Sequence, residues 1–180
     1  MATTTLITNA DAAANKVSPD ANQGYDTVLR IRWDTDVETH RTFVGFDIAG
    51  GSLSSIIESA TLRLYCLRND GDTVTIDCRR VIGAWTEGGL TWNNQPDVST
   101  LYDSTIPALN SWVEWDVTQW VSGIMTGAIT DYGLRLDIPD ADNTNKQFWS
   151  RQHTDPLLYA QLVVVHYAFS PARIAQIAWG

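Results

Sequence analysis

The chain has 180 residues, 44% of them apolar and 18% charged, with a formal net charge of −9 and a sequence pI near 4.5. That composition suits one domain with a sizeable core and excludes a disordered chain. So acidic a surface repels phosphate backbones and anionic membranes, which argues against nucleic acid and membrane partners, and no apolar run reaches the ~18 residues of a transmembrane helix.

The N-terminus, Met-Ala-Thr-Thr-Thr-Leu-Ile-Thr-Asn-Ala, lacks the basic start and apolar core of a secretory signal, so synthesis and use in a cytoplasm, or release by lysis, is expected. Residues 4–8 read as a first strand, followed by a polar stretch through Ser18-Pro19-Asp20 and Asn22-Gln23-Gly24. Residues 28–33 alternate Val28/Arg30/Arg32 against Leu29/Ile31/Trp33, and residues 41–47 follow with Phe43 and either Val44 or Phe46 inward. Residues 60–66 and 73–79 also alternate, about an Asp70-Gly71 turn signal. They read as a hairpin with Leu62, Leu64, Cys66, Val74, Ile76 and Cys78 on the core face. A symmetric hairpin does not set Cys66 opposite Cys78, so two free, buried thiols are expected.

Residues 85–96, Trp-Thr-Glu-Gly-Gly-Leu-Thr-Trp-Asn-Asn-Gln-Pro, have no apolar periodicity. Paired glycines, a fixed proline φ and amides able to hold backbone mark an ordered loop, clamped by Trp85 and Trp92. Residues 112–117 read as a strand running into the one convincing helix, residues 118–126, with Asp116 as N-cap and Gly127 as stop. Residues 132–138, 147–150 and 161–167 are further strands. About nine short strands split by turn residues define an all-β, antiparallel sandwich or barrel. Beyond Tyr167 the chain ends in an apolar tail with Ile174, Ile177 and Trp179, which needs a docking surface on its own sandwich or on a neighbour.

Several segments occur in a familiar order. Asp11 and then Ser18-Pro19 through Asn22-Gln23-Gly24 to Leu29-Arg30, Phe46-Asp47-Ile48, Ser59-Ala60-Thr61-Leu62-Arg63-Leu64-Tyr65, Trp85 to Pro96, Asp116-Val117-Thr118, Gly133-Leu134-Arg135-Leu136, Ser150-Arg151, and Pro156 through Val165 together resemble DNRLRE-type modules over residues 8–167. The resemblance implies a jelly-roll β-sandwich, residues 1–167, with residues 168–180 as a C-terminal arm outside the pattern. It also implies a non-catalytic module of the kind attached to secreted surface proteins, polysaccharide-degrading enzymes and some phage virion proteins; a related set is described as carbohydrate-binding. Gln152 departs from the pattern, standing where a carboxylate often sits.

No enzyme is expected. His40, His153 and His166 lack metal-ligand spacing, and no G-x-S-x-G, P-loop or C-x-x-C occurs. Sugar C–H faces stack on exposed rings while amides and carboxylates bond hydroxyls. Trp33, Trp112 and Trp149, with Asp34, Asp36, Arg151 and His153 nearby in sequence, are the candidates for that role, the plain alternative being ordinary edge aromatics. Trp85, Trp92, Trp115 and Trp120 are expected in the core. Structural calcium is the one cofactor to consider, at Asp137, Asp140 and Asp142 with Asn143, or at Asn69, Asp70 and Asp72; solvated acidic turns are the alternative. The missing signal, the lack of an attached enzyme and the apolar arm together lead to the expectation of a structural surface protein, a phage-type virion component (capsid decoration or tail or fibre protein). It would assemble as a homo-oligomer or with other virion proteins through Ile174, Ile177 and Trp179, on a virion or extracellular surface. The alternative is a carbohydrate-binding module that recognises a polysaccharide.

Overall fold

Alternation along the sequence becomes eleven antiparallel strands in a computed structural model that describes residues 1–34, 39–70, 73–139 and 144–168. In chain order they are β1 (Ala2–Ile7), β2 (Ala10–Asn15), β3 (Val28–Trp33), β4 (His40–Gly45), β5 (Ile56–Asp70), β6 (Ile76–Val81), β7 (Val98–Thr105), β8 (Ser111–Asp116), β9 (Leu134–Asp137), β10 (Thr144–Trp149) and β11 (Gln161–Tyr167), with helix α1 (Thr118–Met125) between β8 and β9. The hydrogen-bonded order is β1-β11-β5-β10-β3-β4-β9-β6-β7, with β2 added to β4 and β8 to β5. The path curls on itself, so β11, β5 and β8 share a common core with β4, β9 and β6, while β10 and β3 carry the sheet round the corner. The two layers are tied by the Trp115 indole, which donates to the Ile76 carbonyl at 3.0 Å, from β8 to β6. This is a jelly-roll-like β-sandwich.

The main core draws Leu29 and Ile31 from β3, Val44 from β4, Leu62, Leu64 and Cys66 from β5, Ile76 and Cys78 from β6, Trp115 from β8 and Leu162 and Val164 from β11. Trp115 and Trp120 are both fully buried. At about 25 cal/mol per Å², burying an indole contributes at most about 4–6 kcal/mol. Trp120 and Val121 place one face of α1 in this core. The expected Asp116 cap is shifted by one residue. Val117 occupies the N-cap position without a side-chain bond, while the Asp116 carboxylate accepts from the Thr118 N–H at 2.9 Å and from its hydroxyl at 2.6 Å. Gly127 ends the helix with φ of +72°, a left-handed angle that glycine adopts without strain.

The expected hairpin does not form. β5 pairs with β11 and β10 along one edge and with β8 along the other, and β6 pairs with β7 and β9. Alternation records which face is buried, not which strand lies alongside, so the inward set was legible and its partners were not. Cys66 and Cys78 come from opposite layers, both buried and free. Burial pushes both thiols up, Cys78 the further, with Asp103, Asp137 and Asp77 adding to it.

Phe43 is the second correction. Val44 and Phe46 enter the main core, but Phe43 points to the opposite face and joins Ala12, Ala14, Val81 and Leu90 in a smaller cluster. Loop 85–96 covers that face. Trp85 and Trp92 pack on the cluster half-buried, Trp85 lies 5.7 Å from Phe43, and the Trp85 indole donates to the Tyr132 carbonyl at 2.7 Å. The amides hold backbone as expected: Asn94 accepts from the Thr91 N–H at 2.7 Å and donates to the Gly89 carbonyl at 2.8 Å, and Gln95 donates to the Trp92 carbonyl at 2.8 Å.

Two strands, β2 and β7, went unread. Ala12, Ala13 and Ala14 are all fully buried, so β2, with both faces covered, shows no alternation. The β2 residue Asp11 is equally buried. Burial pushes its carboxyl up to about 7, the Arg151 N–H pulls it down and Glu87 adds to the rise.

Candidate functional site

The outer face of β5 carries the side chains that alternate with Leu62, Leu64 and Cys66, namely Arg63 and Tyr65. Register places Tyr65 opposite Trp112 and Arg63 opposite Glu114 on β8, and Arg63 opposite Gln161 on β11. The Tyr65 and Trp112 rings meet edge to face with centroids 5.6 Å apart, and the Arg63 guanidinium lies 4.7 Å from the Trp112 centroid. Arg63 Nε donates to Gln161 Oε1 at 2.9 Å, which fixes the fork over the indole. Two residues before Gln161, the Tyr159 hydroxyl donates to the His153 carbonyl at 2.9 Å, and the His153 ring stacks on Trp149 at 4.0 Å with 30° between planes.

These contacts form two groups, Tyr65–Trp112–Arg63–Gln161 on the β8–β5–β11 layer and Tyr159–His153–Trp149 on the loop that leaves β10, and the chain from Tyr159 to Gln161 joins them into one arc. Each of these side chains except Gln161, which is buried, is half-buried, so a ring edge or face remains accessible while its base is held. Trp112 and Trp149, both outward by alternation, are brought to this one surface. Trp33 is not. It has the parity of Leu29 and Ile31, packs against the main core, and its indole nitrogen is buried. Sequence reasoning passed over Arg63, Tyr65 and Tyr159. The signal for the first two was their outward parity on a strand with an unmistakable inward set; for Tyr159 there was none without the loop geometry.

Other clusters are committed elsewhere. Asp137 faces arginines, with Arg135 Nη2 at 2.6 Å and Arg79 Nε and Arg41 Nε at 3.9 Å. Arg41 in turn lies 4.5 Å from the Trp92 centroid and donates to Gln95 at 3.0 Å. Burial holds the Arg41 guanidinium below its usual value, with Arg135 adding to the effect. Asp70 pairs with Arg68 at 2.7 Å. Asp36, Asp72, Asp140, Asp142 and Asn143, like Ile174, Ile177 and Trp179, lie outside the described residues. Among the described residues no three His, Cys, Asp or Glu side chains converge on a metal position. A hollow of about 380 Å³ beside Trp85 is lined by Ala84, Thr86, Gly89, Leu90 and Asn94, but the indole N–H and the Asn94 amide there are already spent on backbone.

A β-sandwich with stacked and edge-on aromatic rings on an outer face, interleaved with arginine and amide groups, has the surface chemistry of a sugar-binding module. Residues 2–165 match carbohydrate-binding module family 96. The chain belongs to that family. A comparison with curated proteins returns no match.

Proposed function

We propose that the chain is a non-catalytic module that holds a polysaccharide along the arc from Trp112 to Trp149. Trp112, Tyr65 and Trp149 supply ring surface for sugar C–H faces, while Arg63, Glu114 and His153 supply charge and hydrogen bonds to hydroxyl or carboxyl groups. One observation carries the reading: the Trp112–Tyr65–Arg63 cluster is built on regular strands, so its rings are held in place before a ligand arrives and less ordering entropy opposes binding. Family membership favours this reading over assembly into a virion. The latter is drawn from the missing signal, the lack of an attached enzyme and the apolar arm, whose Ile174, Ile177 and Trp179 lie outside the described residues.

Retention on a panel of insoluble and gel-immobilised polysaccharides, alginate and chitin among them, tests the proposal. Wild type is expected to be retained by at least one. Trp112→Ala and Trp149→Ala each weaken retention about tenfold or more, as loss of an aromatic anchor does. Trp33→Ala, at a folded temperature, leaves it unchanged. Retention of all variants alike, or of none including wild type, overturns the assignment.

A further inference from the structure

Four strands, β1, β2, β7 and β8, carry a ladder on one side only, and three of their open sides are closed by other means. On β2 the Asp11 N–H donates to Glu87 Oε1 at 3.1 Å, and that carboxylate is held by Arg151 Nη1 at 2.7 Å. β7 and β8 close on each other. The Thr105 hydroxyl donates to the Glu114 carbonyl and the Asp116 N–H to Asp103 Oδ2, each at 2.8 Å. β7 is also broken by register shifts against β6 on both sides of Arg79. Charges and bulges of this kind keep a sheet edge from taking on another strand.

β1 has none of these guards. Its six residues run opposite β11 without a shift, and among the described residues no strand lies on its other side. Residues 1–10 hold no Asp, Glu, Lys, Arg or Pro. The strand is held firmly from within, Leu6 packing on the main core and the Thr4 hydroxyl meeting His166 Nε2 at 2.8 Å. Thr3, Thr5 and Ile7 stand exposed, β-branched side chains that pair well across antiparallel strands. Charge selects the occupant. A basic partner is drawn to the acidic surface elsewhere, whereas a second chain of formal charge −9 is repelled there and meets no like charge along this edge.

We propose that two copies of the chain pair antiparallel through β1, continuing one sheet across a twofold axis. Register aligns Ile7, Gln161, Arg63 and Glu114 in one row, so β1 borders the face that carries Trp112. An axis perpendicular to the sheet sets both such faces on the same side, with β5 and its copy about 24 Å apart at ~4.8 Å per strand before twist. One polysaccharide then engages two modules at once. That consequence rests on the proposed function; the pairing itself does not. Six-residue edges bury less than the ~1,200 Å² of a standard interface, so the dimer is weak, with Kd on the order of 10⁻⁵–10⁻⁴ M.

Sedimentation velocity of the full chain, without polysaccharide, at about 10–500 µM tests the pairing. The mass is expected to rise from 20.0 kDa toward that of a dimer. It rises more readily in about 300 mM than in about 20 mM NaCl, because salt screens the two acidic bodies from each other. Thr5→Lys sets two ammonium groups at the shared edge and weakens dimerisation about tenfold or more, with Tm within about 2 °C of wild type. Thr3→Lys repeats the test should that variant misfold. Leu101→Lys, at an exposed position on β7, leaves the dimer intact, as does Ile177→Asp. A monomer throughout the range, a dimer that salt dissolves or that survives both lysines, or one lost only in Leu101→Lys or Ile177→Asp, overturns the proposal. Thr5→Lys is also expected to lower retention on a long polysaccharide severalfold without changing affinity for a short oligosaccharide. Equal retention by a proven monomer overturns the two-module engagement alone.

Discussion

Replacing Trp85 by alanine tests whether loop 85–96 is a clamp or a ligand surface. The indole is half-buried against Phe43 and the β2 alanines, and its N–H holds the Tyr132 carbonyl at 2.7 Å. Full removal of a core Trp or Phe side chain costs about 3–5 kcal/mol, so half-burial argues for about 2–3. Loss of the hydrogen bond adds about 1 kcal/mol, for a total of about 3–4. In a domain of this size 1 kcal/mol moves Tm by about 2–4 °C, which predicts a fall of about 6–16 °C by calorimetry. Trp85→Phe keeps ring contact and loses the donor, so it should recover most of the loss and leave about 1–2 kcal/mol. Polysaccharide retention, measured well below the melting range, should match wild type. A melt within about 2 °C of wild type would refute the clamp. Lost retention at unchanged Tm would move the binding site to the loop.

Gly133 has φ of +81°, and an added Cβ would lie 2.4 Å from the Val44 carbonyl oxygen. Strain and clash together predict that Gly133→Ala destabilises by about 2–4 kcal/mol in urea titration; a change under about 0.5 would contradict the backbone placement. Bonds from the Thr118 hydroxyl and N–H hold the Asp116 carboxyl below its ordinary 3.8. A depressed folded pKa stabilises above the unfolded value and is lost as pH falls through the folded one. Asp116→Ala should therefore cost no more than about 0.5–1 kcal/mol near neutrality, the carboxyl being exposed and its bonds screened by solvent, and the gap from wild type should close below pH 3.8 in melts run across that range. Cys66 and Cys78 should resist a thiol reagent at pH 8 in the native protein and react together once it is unfolded; rapid native labelling would show that the core is open.

Which parts of this were legible follows from what periodicity encodes. Residues 60–66 gave their inward residues Leu62, Leu64 and Cys66 correctly, because one face is buried and the other is not. By the same rule Trp33 was already aligned with Leu29 and Ile31, so its place against the core was legible. β2 was silent because small side chains fill both of its faces. The proposed binding face was half legible: Trp112 and Trp149 were named from the sequence, but bringing them onto one surface with Arg63, Gln161 and Tyr159 requires strand register, which no single strand contains. The cluster around Glu87 was illegible in principle. Asp11 lies 76 positions from Glu87 and 140 from Arg151, and contacts that distant have no local pattern.

The pairing of β1 with β11 has a mechanical meaning. β1 ends the sheet, its ladder to β11 running from Ala2 opposite His166 to Ile7 opposite Gln161, with the Thr8 N–H on the Ala160 carbonyl at 3.0 Å closing the far end. A load applied between the two ends of the described chain thus acts at the open end of this ladder. It parts one rung at a time instead of shearing all of them together. Under tension the module would shed β1 first and yield in small steps, while the face bearing Trp112 and Tyr65, on β8 and β5, stays closed behind β11.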